Sequence, residues 1–421
     1  MFIGSRRLLL ASAFLILFSA CNALVEESSF EASSSSSTAE SLEDGLFVGA
    51  SKSPMQAQKG PGGLTVMTRN LYIGTDVSIV LGAGSLADVP QLAALAFQTL
   101  QSTNFPERAE ALADEIAETM PHVIGIQEAS LIRIQTPSDF TGGMEPAVDV
   151  VFDYLEILLA ALDARGLDYR VAGSIQNVDI EIPMVTGINP LTLSDIRVTD
   201  FDVILARRDV EISRVTESNF QAELALLSLG ISVPRGYVAV DATISNRTYR
   251  IVNTHLEPFD PQKQRAQAQE LLAVLDSETL PIVLLGDFNS PAPAGDTYQF
   301  LLSEGYVDVW TRSVRRKGGA GNTCCQAADL RNAVSMLNRR IDLILFKSSN
   351  DMHGHDGLGA VFADVVGDEA RDRTPSGLWP SDHAGVVAAL RIPAASSRSG
   401  HPHAVATQVE RDDTVRALYH R

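Results

Sequence analysis

Two short motifs in the second half of this chain bring together groups that do chemistry. Gly286-Asp287-Phe288-Asn289 follows the apolar run Pro281 to Leu285, and Ser381-Asp382-His383 precedes the apolar run Ala384 to Leu390. A carboxylate at the end of a buried strand is costly unless a cation or a catalytic partner compensates it. Three earlier stretches repeat the pattern. Leu64 to Asn70 is an apolar strand ending in an amide, His122 to Glu128 one ending in a carboxylate, and Arg250 to His255 one ending in an imidazole. Arg340 to Leu345 embeds Asp342 in an apolar run. Each has a bland explanation when taken alone: an acid after a strand is commonly a turn residue or a helix cap. Asp342 or His255 alone could be a hydrogen-bonded core residue. The combination, in this order, points to a site.

Oxygen donors such as Glu128, Asp382 and the Asn70 amide suit a hard cation, Mg²⁺, with Mn²⁺ or Ca²⁺ as alternatives. Phosphodiester cleavage needs charge neutralisation, an activated water and help for the leaving oxygen, which a metal, a carboxylate and two imidazoles can supply. The chain has no G-x-x-x-x-G-K-[ST] phosphate loop and no H-E-x-x-H zinc helix, so hydrolysis driven by a nucleotide and zinc proteolysis have no support.

In the order Asn, Glu, His, Asp-x-Asn, Asp, Asp-His, the sequence resembles the endonuclease/exonuclease/phosphatase superfamily, the DNase I-like metal-dependent phosphoesterases. The resemblance spans Leu64 to Pro393. It implies an α/β fold, a four-layer sandwich of two packed β-sheets flanked by helices, with the site at the strand ends. It also implies roles. Glu128 is the principal metal ligand, with Asn70 beside it and Asp382 completing or flanking the site. Asp287 orients or deprotonates the attacking water. Asn289, two residues on and on the same face of an extended segment, donates to a phosphoryl oxygen. Asp342 and His383 form a carboxylate–imidazole pair that fixes the tautomer and favours the charged ring. His255 contacts the scissile phosphate or protonates the leaving group, and which histidine is the acid stays open. Asp76 reads as a turn or capping residue, and Arg340 as a solvated edge charge.

The net charge of −19 bears on the substrate. Proteins that grip long nucleic acid present Lys and Arg stripes that displace counterions. Here basic residues are scattered, apart from Arg312 to Lys317, which reads as a solvated loop. The Trp-Cys-Asp-Arg segment of inositol-phosphate 5-phosphatases is replaced by Asn338-Arg339-Arg340-Ile341-Asp342. The expected substrate is therefore a small or lipid-borne phosphodiester rather than duplex nucleic acid. An extracellular nuclease is the alternative within the fold, and a catalytically idle surface-binding protein the alternative outside enzymology.

The start of the chain concerns location. Arg6-Arg7 precede an apolar run from Leu8 to Phe18 and then Ser19-Ala20-Cys21. That run is shorter than the about 20 apolar residues a bilayer span takes, and reads as a secretory signal. Cys21 resembles the lipidated cysteine of a bacterial lipoprotein, with ordinary signal cleavage as the alternative. Residues 1–21 are thus a signal, 22–63 a flexible Ser- and Glu-rich linker, 64–393 the catalytic domain and 394–421 a polar tail. An exported monomer follows, tethered to a membrane if Cys21 carries lipid. Three cysteines make a poor disulfide framework. With Cys21 assigned to lipid, adjacent Cys324-Cys325 are left as a vicinal disulfide or as free thiols.

Alternating strand and helix patterns position these motifs. Helices are expected from Asn104, over Val150 to Arg165 and over Pro261 to Asp276. Strands are expected at Tyr169–Ile175, Asp202–Ala206, Tyr237–Ile244, Tyr249–His255, Ile282–Gly286, Ile341–Phe346 and Ala384–Leu390. Pro137 to Met184 and Phe220 to Pro234 read as insertions.

Overall fold

A computed structural model describes residues 63–392 apart from 141–144, 227–230, 315–318, 349–357 and 360. Cys21 and the leader, nearly all of the linker, and the tail lie outside the described residues. The first third runs β1 (Gly63–Asn70), α1 (Ser78–Leu81), α2 (Val89–Ser102), α3 (Phe105–Thr119), β2 (Val123–Gln127), β3 (Leu131–Gln135), β4 (Asp149–Asp153) and α4 (Tyr154–Asp163). The middle contains β5 (Tyr169–Ile188), β6 (Leu191–Arg207), β7 (Glu211–Asn219), β8 (Leu224–Leu226), β9 (Ile231–Val233), β10 (Gly236–Ile244), β11 (Arg247–His255) and α5 (Pro261–Leu275). The last third adds β12 (Ile282–Ala292), α6 (Asp296–Ser303), β13 (Val307–Asp308), α7 (Val309–Arg312), β14 (Arg340–Lys347), β15 (Val361–Val366) and β16 (Gly385–Arg391).

One sheet has the order β15-β16-β1-β2-β6-β3-β4, with β5 paired to β6; the other has the order β13-β14-β12-β11-β10-β7. Leu64, Val66, Val123 and Ile204 of the first sheet pack on Val238, Val240, Ile251, Val283 and Leu285 of the second. Each such side chain, fully buried, contributes about 1.5–3 kcal/mol relative to exposure. The outer face of the first sheet carries α3 and α4 through Phe105, Leu112, Ile116 and Leu158, and that of the second carries α5 and α6 through Leu271, Leu275 and Leu301. The fold is the expected four-layer α/β sandwich.

Several elements differ from their sequence reading. Val150 and Val151 do not begin a helix. They belong to β4, where β-branched side chains pair on β3, and the helix starts at Tyr154 with Asp153 accepting from the Glu156 amide at 3.1 Å. The Asn104 side chain does not cap the helix it precedes; only its carbonyl accepts, from the Glu107 amide at 3.0 Å and the Arg108 amide at 3.2 Å. Its backbone is left-handed at φ 41° and its amide donates to Glu107. Arg340 is buried and donates to Asp308 at 2.7 Å, so it is no edge charge. The strand begun at Tyr169 continues to Ile188 and forms with β6 a ribbon across much of the expected insertion.

Within the largely apolar interface between the sheets, one polar cluster ties them together. Asn253 on β11 donates to the carbonyls of Ile126 (2.8 Å) and Val203 (3.0 Å), and accepts from Gln127 Nε2 at 2.6 Å. Gly125 makes room for it: a Cβ there would meet Asn253 Oδ1 at 2.6 Å. Replacing Asn253 by Leu strands these groups in a dry core, and an unsatisfied buried polar group costs about 1–3 kcal/mol. We expect Asn253→Leu to lower unfolding stability by about 2–4 kcal/mol in urea titrations. A loss below about 1 kcal/mol would show that apolar packing alone holds the sheets in place.

Candidate active site

Strand register assembles the site. Parallel pairing of β1 and β2 sets Asn70 beside Gln127, so Asn70 and Glu128 leave the first sheet together. In the second sheet His255 lies opposite Asp287, and Asp287 opposite Asp342. Asp382 and His383 arrive on the segment entering β16, the antiparallel neighbour of β1. Ser381 Oγ donates to the Asn70 carbonyl at 2.8 Å, and the Arg69 guanidinium donates to the His383 carbonyl. Arg108, fully buried, donates to the carbonyls of Leu71 (2.6 Å), Tyr72 (3.0 Å) and Pro380 (3.0 Å), tying both approaches to α3.

His383 Nδ1 stands 2.8 Å from Asp342 Oδ2, which places a proton on Nδ1 and turns Nε2 away from the pair. Asp287 is central. Its Oδ1 accepts from the Asn289 amide at 2.9 Å, while Oδ2 lies 3.5 Å from His255 Nε2 and 3.9 Å from His383 Nδ1. His255 Nδ1 is 3.1 Å from Arg235 Nη1. A guanidinium only donates, so this ring nitrogen accepts and the His255 proton sits on Nε2, facing Asp287.

The two imidazoles are driven apart in charge. Burial pushes the His255 pKa well down, and Arg235 and then His383 push it further. Burial also opposes a charge on His383, but Asp342, Asp382 and Asp287 together hold its pKa well above the ordinary value. Burial, then the neighbouring Asp342, raises Asp287 to about 7. Asp382 is raised to about 6, by burial first, with Glu128 also pushing it up. Asp342 Oδ1 has no hydrogen-bond partner. Acids whose ionisation burial and mutual repulsion oppose, with oxygen the donor throughout, are a set a divalent cation fits.

Asn70 and Asn289 stand differently from expectation. The Asn70 amide turns its nitrogen to the acids, donating to Glu128 Oε1 at 2.9 Å, because its oxygen accepts from the Tyr72 amide at 2.8 Å. As placed it orients Glu128 instead of offering an oxygen to a cation. Asn289 is not extended; its φ is 49°, and its side-chain nitrogen donates to the Leu256 carbonyl at 2.9 Å. Only its second N–H remains for a ligand. Glu128 is also left-handed, at φ 57°, a conformation that costs of order 1–3 kcal/mol for a residue with a side chain. Its Oε2 accepts from the Ile73 amide at 2.7 Å. Asp76 makes a turn contact, accepting from the Ser78 amide at 2.9 Å. Cys324 and Cys325 are disulfide-linked, with Cys325 Sγ 4.0 Å from His383 Nε2.

The sequence reading missed Arg235 and Asp200. Arg235 lies against His255 and within 4.0 Å of Asp200, which accepts from Asn177 at 3.1 Å. Asp202, two residues on along β6, is fully buried with neither carboxylate oxygen partnered, and its pKa is pushed well up by burial and by Asp200. No acid or histidine stands near Arg235 in sequence, and the only local signal is a cation at the start of an apolar strand. Arg235, Glu128, His255, Asp287 and His383 all line one cavity of about 760 Å³.

A model of the Endonuclease/Exonuclease/phosphatase family matches residues 95–383. No curated protein matches the chain. Among solved structures, an endonuclease/exonuclease/phosphatase from Bacteroides vulgatus is 16% identical, covering 79% of this chain and 99% of its own, at a TM-score of 0.47. A mannosyl-6-phosphatase of Bacteroides thetaiotaomicron is 16% identical, covering 78% and 99%, at 0.46. Truncated TDP2 of Caenorhabditis elegans is 15% identical, covering 78% and 97%, at 0.41.

The opposite shifts of the two histidines are measurable. A raised pKa keeps the imidazolium present above its ordinary titration near pH 6.5, and a lowered one keeps the ring neutral below it. In metal-free protein, ¹⁵N spectra of the imidazoles should show His383 charged at about pH 7 and His255 neutral, protonated on Nε2, at about pH 5.5. Both rings titrating together near pH 6.5 would remove the assignment.

Proposed function

The chain belongs to the endonuclease/exonuclease/phosphatase family, and from that premise we propose that it hydrolyses phosphodiester bonds with a divalent cation, Mg²⁺ foremost. The observation that carries this reading is the convergence, at the ends of two packed sheets, of Asp287, the Asp342–His383 pair, His255 and the half-buried Glu128. Glu128 and Asp382 would hold the cation, with Asp287 beside them. When bound it would add positive charge at the phosphoryl oxygen and relieve the crowded acids.

This chain's own groups do the rest. Asp287, its Oδ1 fixed by the Asn289 amide, orients water and takes its proton, a role that a carboxyl with a pKa near 7 suits. His383, kept charged by Asp342, donates from Nε2 to the phosphoryl or leaving oxygen. His255 stays neutral and donates from Nε2, while Arg235 brings a fixed positive charge to the same end of the cavity. The second N–H of Asn289 is available to a phosphoryl oxygen. A small or lipid-borne diester fits the net charge of −19 better than a duplex. We place the enzyme outside the cytoplasm, tethered through Cys21.

With a generic aryl phosphodiester, exhaustive EDTA should abolish turnover and Mg²⁺ or Mn²⁺ restore it. Activity surviving chelation would sink the reading. His383→Ala should cut kcat by roughly 10²–10⁴. Asp342→Asn should cut it less, and the double variant little further, because groups acting as a unit are not additive. At fixed Mg²⁺ and moderate salt, plasmid cleavage far ahead of small and lipid diesters would promote the nuclease reading. For the tether, labelled palmitate should enter the protein and Cys21→Ser should abolish labelling. A mature N-terminus beyond Cys21 would establish ordinary secretion.

A further inference from the structure

The catalytic groups occupy only part of their cavity. Its volume, about 760 Å³, is that of a site for a sizeable organic ligand, which typically needs about 300–1,000 Å³. The rest of its lining comes from α1 and α2 and from the β5–β6 ribbon, and is largely aliphatic: Val80, Leu81, Ala96, Ile180, Ile182 and Val198. Large apolar side chains that line it remain open to solvent, with Leu86 57%, Phe140 53% and Phe259 53% exposed. Contiguous exposed apolar surface of this kind marks a place where something apolar binds.

The chemistry of the lining discriminates among occupants. Nucleobases are held by stacking on aromatic rings and by hydrogen bonds to their edges, and sugars need polar groups for their hydroxyls. The wall is built mainly of Val, Leu, Ile and Ala side chains, which match methylene groups; it also carries the rings of Phe97, Phe140 and Phe259, so an aromatic ligand is the discriminating competitor. The polar groups suited to a phosphate, Arg235 and His383, share the cavity with that wall.

We infer that this cavity receives an aliphatic chain carried by the substrate, so that the ester has its phosphate at Arg235 and His383 and a long alkyl group against α1, α2 and the β5–β6 ribbon. This rests on the phosphoesterase reading of the same site and specifies its substrate class. Chain recognition comes from burial, so affinity follows chain length.

The test is calorimetric titration of the full protein, with Mg²⁺, by alkyl(methyl)phosphinates bearing ethyl, butyl, hexyl and octyl groups, monoanions whose two P–C bonds cannot be hydrolysed, each below its micellar concentration. Affinity should rise about fourfold per methylene, the factor that ~0.8 kcal/mol per buried CH₂ gives at 1.36 kcal/mol per decade. In Ile180→Trp and in Val80→Trp, which fill the cavity from two different elements, the octyl-to-ethyl affinity ratio should fall at least tenfold. Affinity independent of chain length overturns the inference, as does an unchanged ratio in both folded variants. A naphthyl(methyl)phosphinate binding more tightly than the octyl ligand also overturns it, assigning the wall to an aromatic group. Because the ligands are not turned over, a steep chain-length dependence without phosphodiester hydrolysis would keep the chain site and remove the hydrolase reading. Hydrolysis with a flat dependence would do the reverse.

Discussion

The Gln127–Asn253 hydrogen bond crosses the largely apolar interface between the sheets, and it fixes the level at which the candidate site groups of the two sheets meet. Apolar packing is non-directional and tolerates sliding; a polar group in a dry interior does not, since displacement leaves it unpaired. Asn253 pins β11 to β2 and β6 two residues before His255, and Gln127 stands immediately before Glu128. The same contact that aligns the sheets therefore sets the metal-ligand candidate of one sheet against the imidazole of the other. Strand pairing then carries the alignment sideways to Asp287 and Asp342. Arg108 does the corresponding work for irregular backbone, converting loose carbonyls after β1 and before β16 into one fixed seat.

Once the ends are level, electrostatics separates groups of the same type. Both histidines are buried, and burial pushes each toward neutrality. What distinguishes them is the neighbour on Nδ1: a carboxylate for His383, a guanidinium for His255. The two pKa values are thus driven in opposite directions without any difference in exposure deciding it. The acids obey the same logic. Asp287 sits between the two rings and is pushed up by burial and Asp342, which leaves it able to exchange a proton near neutrality.

What the sequence made legible is what is local along the chain. A strand ending in Asn70, Glu128, His255 or Asp287 announces itself through an apolar run followed by one polar group, and the Asp342–His383 pairing follows from the family's motif order. Three kinds of feature were hidden. Arg235 sits in a motif with no neighbouring acid or imidazole, and its role arises only when β10 lies beside β11. The Asn70 amide is turned by the Tyr72 backbone N–H, a contact two residues away that composition cannot reveal. Helix α2 buries Val89, Ala93, Ala96 and Leu100, a stripe carried largely by alanines that gives a weak apolar period, and it went unread. That helix helps line the cavity, so the same weak signal concealed the chamber beside the site.

The acidic balance of the chain and the aliphatic wall of its cavity bear on one another. A protein of net charge −19 repels a polyanion at long range, and the cations of the site are few and enclosed. Long nucleic acid gains its affinity from many released counterions, a source that Arg235 and His383 alone cannot supply. The proposed ligand, a phosphate carrying a long alkyl group, would need no such field: its single negative charge would be met by those two groups, and its binding free energy would come from apolar area removed from water. Burial of this kind is insensitive to screening, whereas attraction between exposed charges fades beyond a Debye length of about 8 Å at physiological salt. On the proposed reading, the surface charge and the cavity are thus two parts of one selectivity, the first disfavouring polyanions and the second favouring a chain.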